Sequence, residues 1–247
     1  MKIAPAARLL SVASLAVLFT PVCLAATYDE AELARMSAID PAAFGIGRSE
    51  LRELPSPPTD EIPVELPETQ APQLTLLDTV DQLEVKLDQL IRIGQKIYKI
   101  VEAGRPIYNS NLHRTDVLPK GVAEWQQLTG WQAPTSKRYE WSIKNLYGMN
   151  VVTLRYRLMY TPGGHLDGRG RYLQAVTIVP EYVYVAWGYS LDVTASTPSI
   201  TNAGTIENPV AGAELMIDAT VKTVLNTAQM TASYYVRGDG LFKDMQE

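Results

Sequence analysis

MNVVTLRYRLMY, residues 149–160, alternates apolar and polar side chains with a period of two. Val152, Leu154, Tyr156, Leu158 and Tyr160 share one side, while Thr153, Arg155 and Arg157 take the other. Successive side chains of a strand point to opposite faces, so this spacing predicts a strand with one face on a core and one in water. The stretch TPGGHLDGRG (161–170) follows, and RYLQAVTIV (171–179) then returns with similar character. Residues 149–180 therefore read as one long β-hairpin with a glycine-rich tip.

Pro180 lacks a backbone N–H and is expected to end that hairpin. EYVYVAWGYSLDVTA (181–195) then starts a new strand, with Val183, Val185, Trp187, Tyr189 and Leu191 together and Tyr182 and Tyr184 opening the opposite face. Apolar residues on both faces imply a central or covered strand, and the ordinary expectation is that the two tyrosines are buried. KRYEWSIKNLYG (137–148), AELMIDATVKTVL (213–225) and QMTASYYVRGDG (229–240) add further strands, while STPSITNAGTIEN (196–208) reads as a polar loop. About six strands in roughly 110 residues predict an antiparallel β-sandwich over 137–247. Single-chain transmembrane barrels need more strands than that, which leaves only a barrel assembled from several copies.

Ahead of the sandwich, TLLDTVDQLEVKLDQLIRIGQKIYKIVEAGRP (75–106) carries a different period. Leu76, Val80, Leu83, Leu87, Leu90, Gly94, Ile97 and Val101 step by four and three, the spacing of a coiled-coil seam. Thr75 with Asp78 forms a capping pattern, and Gly104 with Pro106 closes the segment. One long amphipathic helix over 74–104 is expected, and its seam residues are candidate interface positions. Leu77, Ile91, Ile93, Tyr98 and Ile100 widen the stripe, so the helix could pack within the chain or against a partner, including a second copy. Residues 105–136 read as an irregular connector with a short helix in PKGVAEWQQLTGW, anchored by Trp125, Leu128 and Trp131.

The chain opens MKIAPAARLLSVASLAVLFTPVCLAA. Lys2 and Arg8 precede an apolar run, Leu9 to Phe19, too short to span a bilayer, and small residues follow. Residues 1–25 are expected to be a secretory signal cleaved near Ala25 or Ala26, placing the protein in the periplasm. The alternatives are secretion, or an outer-membrane lipoprotein acylated on Cys23, against which Val22 is a poor fit. Cleavage after Cys23 leaves no cysteine for disulfides or thiolate ligands. No later run is long and apolar enough for a transmembrane helix.

Residues 27–72 hold ten acids against three arginines and seven of the prolines, so they read as an acidic, disordered, proline-rich arm spanning 26–73. Within it YDEAELARMSAID suits a short amphipathic helix. Residues 73–247 balance seventeen acids with seventeen bases, so the folded part has no basic footprint for nucleic acid.

The chemistry-bearing residues are sparse. His165 and Asp167 lie two apart at the hairpin tip and could orient a general base, but no nucleophile accompanies them. One histidine and one aspartate are too few for a metal site, and the glycines fit no phosphate-binding loop; neither metal nor cofactor is expected. His113 reads as a loop histidine, and Arg237-Gly238-Asp239 as turn chemistry rather than an adhesion tripeptide. Tyr182 and Tyr184, about 6.8 Å apart on one strand face, could stack on sugar rings; with His165 and Asp167 they are the candidate ligand-binding residues. The expected function is a non-catalytic structural or accessory subunit of a cell-envelope assembly, bound to protein partners or to itself. A glycan- or peptidoglycan-binding sandwich is the alternative, and a hydrolase using His165 and Asp167 the third reading.

Overall fold

The computed structural model describes residues 30–55, 86–107 and 114–246. Cys23 and His113, the seam positions Leu76, Val80 and Leu83, and the proposed signal and cleavage region lie outside them.

Among the described residues two short helices, α1 (Glu30–Ile39) and α2 (Pro41–Phe44), precede thirteen strands: β1 (Ile46–Leu54), β2 (Lys86–Gly94), β3 (Ile97–Glu102), β4 (Arg105–Pro106), β5 (Thr115–Lys120), β6 (Thr135–Asn145), β7 (Asn150–Leu166), β8 (Arg169–Val185), β9 (Tyr189–Ser196), β10 (Ile200–Asn202), β11 (Ala211–Thr223), β12 (Thr227–Arg237) and β13 (Phe242–Asp244). One antiparallel sheet runs β1-β6-β7-β8-β5-β2; the other runs β13-β12-β11-β9-β3-β4, with β10 on β11. The chain is mainly β.

The period-two faces meet between the sheets. Val152, Leu154, Tyr156 and Leu158 from β7 are fully buried together with Leu215, Ile217 and Val221 from β11 and Tyr234 and Val236 from β12. Burying each large side chain of this kind stabilises by about 1.5–3 kcal/mol. Their outward neighbours, among them Arg155, Arg157, Tyr182 and Tyr184, stand on the opposite surface of the first sheet.

The expected long helix is not formed. Of its span, residues 86–94 and 97–102 are strands β2 and β3 in different sheets, and Ala103-Gly104 is the turn of a hairpin that pairs Glu102 with Arg105. Both turn residues have positive φ (47° and 75°), as a two-residue hairpin turn of this type requires. The stripe was too wide for a seam and rich in residues that favour strands: Ile91, Ile93, Ile97, Tyr98, Ile100 and Val101. The seam also dissolves as a surface. Ile97 is 62% exposed while Val101 is fully buried, and Leu87 and Leu90 are half-buried in the other sheet. Gly94 sits opposite Thr115 with φ 121°, where a Cβ would lie 2.1 Å from the Arg114 carbonyl oxygen. It permits close approach of β5, not of a second helix.

The expected disordered arm is ordered over 30–55: the short helix is present as α1, and β1 pairs with β6 to form the edge of the first sheet. The connector 105–136 contributes β4 and β5, and its expected short helix is a single 3-10 turn at Trp125–Gln127, closed by Glu124 and Gln127. Leu128 is buried there, whereas Trp125 is exposed. Finally, β8 continues through Pro180. Tyr156 pairs with Pro180 and Arg155 with Tyr182, so Glu181 is an extra residue at a β-bulge. A bulge absorbs a residue whose missing N–H would break a regular ladder.

Candidate functional site

The hairpin tip is built by backbone chemistry. Leu166 pairs with Arg169 around Asp167 and Gly168, whose φ values are 51° and 77°. The His165 Nδ1 accepts the Gly168 N–H at 3.2 Å and lies 3.5 Å from the Thr129 hydroxyl. Its backbone exchanges hydrogen bonds with Thr129, and Gly130 packs so tightly on the ring that a Cβ there would be 2.3 Å from Nε2. The imidazole thus braces its own turn against the 128–132 segment. Asp167 is exposed and makes no hydrogen bond to His165. The tripeptide Arg237-Gly238-Asp239 is likewise a turn, with Arg237 bonded to Asp239 at 2.5 Å. Among the described residues no cluster of three or more histidine, cysteine or acidic side chains could hold a metal.

The outward surface of the first sheet differs in character. Tyr182 and Tyr184, expected to be buried, are 46% and 45% exposed; among the described residues no helix covers them. Cross-strand register sets Arg52, Glu140, Arg155 and Tyr182 in one row over β1, β6, β7 and β8. Glu140 is only 7% exposed and accepts from Arg52 Nη2 at 2.5 Å and Arg155 Nε at 2.6 Å. The Arg155 guanidinium lies over the Tyr182 ring, 5.2 Å from its centroid. Burial pushes the Glu140 carboxyl up, but the hydrogen bonds and charges of Arg155 and Arg52 outweigh this and hold it below its ordinary value.

A second group stands beside the first. Arg138 and Arg157 pair across β6 and β7, and both bind Glu181: Arg138 Nε at 2.8 Å and Arg157 Nε at 2.6 Å. The bulge aims this carboxylate between the two guanidiniums, the re-aiming that bulges permit. Each acid fixes two arginines, so four guanidiniums against two carboxylates leave two positive charges.

Exposed apolar side chains gather at one end of the sandwich. The helix pair seats on the β6–β7 and β8–β9 turns: Tyr147 Oη donates to Asp40 at 2.9 Å, the Leu146 N–H reaches the Ala42 carbonyl, and Phe44 meets Trp187 edge-on at 5.7 Å. Met36, Ile39, Leu146, Tyr147, Met149 and Trp187 remain exposed around this seat.

No family model matches the chain, and no curated protein or solved structure matches it either.

Sequence reading missed both charged groups. Arg155 and Arg157 at alternate positions of a half-buried strand, and Arg138 and Glu140 likewise on β6, were the available signal: such rows need partners of opposite charge on neighbouring strands. Arg52 carried no such signal, because nothing marked its segment as a strand of the same sheet.

Proposed function

We propose that the protein is a non-catalytic accessory subunit of a cell-envelope assembly, exported by its N-terminal signal and docked through the apolar end of the sandwich. The observation that carries this is the cluster of Met36, Ile39, Leu146, Tyr147, Met149 and Trp187 in water around the helix seat. Methionine and aromatic residues are enriched at protein interfaces, and a contiguous apolar patch in water is costly unless something covers it. Leu87, Leu90, Gly94, Ile97 and Val101 form no helical seam, so among the described residues association falls to this end. A photo-crosslinking residue at Met149 in intact cells, with light scattering of the processed chain, tests it. A discrete adduct or a defined oligomer is expected. A monomer that yields no adduct removes the reading.

A second reading is favoured by one specific observation. Tyr182 and Tyr184 are half-exposed on a sheet face that no other described element covers, which suits stacking of saccharide rings as in a glycan- or peptidoglycan-binding module. Tyr184→Ala should abolish retention on insoluble peptidoglycan while leaving the circular dichroism spectrum unchanged. Retention by the folded variant would remove this reading. The hydrolase reading draws no support from His165, whose Nδ1 is engaged with its own turn.

A further inference from the structure

We infer that the outward face of the first sheet binds an acidic saccharide, with a sugar ring on Tyr184 and its carboxylate or phosphate held by Arg155 and Arg52. The inference rests on the glycan reading and names the ligand class.

The two tyrosines are not equivalent. Tyr182 carries the Arg155 guanidinium over its ring, so one of its faces is already occupied. It is a positioning residue for that arginine. Tyr184, paired with Thr153 one step along the same strands, is the ring offered to a ligand. Thr153 and Arg155 are about 6.8 Å apart along β7, so the arginine stands diagonally beside Tyr184. That separation matches a sugar ring and an acid group on it or on the next residue.

The arginines are built to receive an anion. Glu140 takes Nε of Arg155 and one terminal nitrogen of Arg52, so the other N–H groups of each guanidinium lie outside these two bonds. The two side chains are 43% and 59% exposed, while the acid between them is buried. A guanidinium held in this way loses little further freedom on binding, and its fork matches a carboxylate or phosphate. Arg138 and Arg157, fixed by Glu181, extend the positive row beside it. The neighbouring acid Glu50 shares the outward face of β1 with Arg52, about 6.8 Å along the strand. It lies three strands from Tyr184 through Ser142 and Thr153, or about 14 Å, so it borders the Arg52 end of the site and not the ring. A neutral glycan would need the tyrosine but not this charge; a bare polyanion would need the charge but not the tyrosine.

The test is titration of the purified processed chain with polygalacturonate, phosphomannan, dextran and poly-glutamate. The expected result is binding to one of the two acidic glycans, which identifies the acid as carboxylate or phosphate, with none to dextran or poly-glutamate. Tyr184→Ala, Arg155→Gln and Arg52→Gln should each weaken it about tenfold, the effect of losing one charge-assisted or stacked contact. Lys222→Gln, on the other sheet, should not change it. Arg52→Gln guards against a folding defect, because Arg52 is the more exposed partner of Glu140. Equal binding of dextran with no effect of the arginine variants would overturn the acidic assignment and leave the glycan reading standing. Equal binding of poly-glutamate would reduce the face to non-specific charge. No binding to any of the four would overturn the acidic-saccharide assignment, and loss of retention on insoluble peptidoglycan as well would overturn the glycan reading.

Discussion

Tyr156 on β7 and Tyr234 on β12 face each other across the sandwich with their hydroxyl oxygens 2.6 Å apart. The pair ties one sheet to the other inside an apolar core, and Tyr139 packs its ring 4.7 Å from that of Tyr234. A hydroxyl deep in a core is tolerated because it has a partner; alone it would cost its desolvation. Tyr156→Phe or Tyr234→Phe should therefore destabilise by about 1–3 kcal/mol, because each leaves the other hydroxyl unsatisfied. The double phenylalanine variant should recover much of that loss. Urea unfolding of the three variants checks this, and equal, additive losses would show that the hydroxyls are not coupled.

Burial also makes the core tyrosines reluctant to ionise. Tyr172 is pushed up to about 12, and burial raises Tyr98, Tyr156, Tyr160 and Tyr234 as well. In the unfolded chain these groups ionise near 10.0. Their folded values lie higher, so their contribution to stability is complete below that pH and is lost as pH rises through the folded values. The denaturation midpoint should hold steady up to about pH 9 and fall steeply between about 10 and 12. Tyrosinate absorbance recorded in parallel should rise late for the buried fraction, together with unfolding.

Glu140 gives the opposite sign at the acid end. Its folded carboxyl lies below the ordinary value of 4.5, so the stability it contributes is present above that pH and is lost as pH falls through the folded value. Glu140→Gln should cost about 1–3 kcal/mol at neutral pH, the lower part being expected because Arg52 and Arg155 remain hydrated. The gap between wild type and variant should close on acidification. Chemical denaturation at neutral pH and at about pH 3 measures both ends of that window.

The legible parts of this fold were those where one period stood alone. On β7 apolar residues fall at every second position from Val152 to Tyr160, with Thr153, Arg155 and Arg157 between them, so the strand and its buried face could be read. The 86–102 region satisfied two periods at once. Leu87, Leu90, Gly94, Ile97 and Val101 fit the helical step, while Ile91 with Ile93 and Tyr98 with Ile100 fit the strand. Tertiary pairing with β5 and β9 decided between them. The exposed tyrosines were legible as a pair but not as exposed, since that depended on whether a helix lay over them. The Arg52–Glu140–Arg155 row was not legible because it joins three strands, one of them from a segment that reads as disordered.

Gly94 separates the two readings of that region by the sign of a single substitution. In a helix, alanine would be favoured over glycine by about 1 kcal/mol. On β2 the residue has φ 121°, and an added Cβ would meet the Arg114 carbonyl oxygen at 2.1 Å. The obstacle is backbone of the paired strand, not the end of a flexible side chain, so relief requires β2 and β5 to move apart. Gly94→Ala should therefore destabilise by more than about 1 kcal/mol, the penalty where a new side chain conflicts with the native backbone. Denaturant unfolding with amide exchange across β2 and β5 checks it: the loss should appear as faster exchange in both strands. A stabilised variant would mean that residues 86–102 do not form these strands in solution.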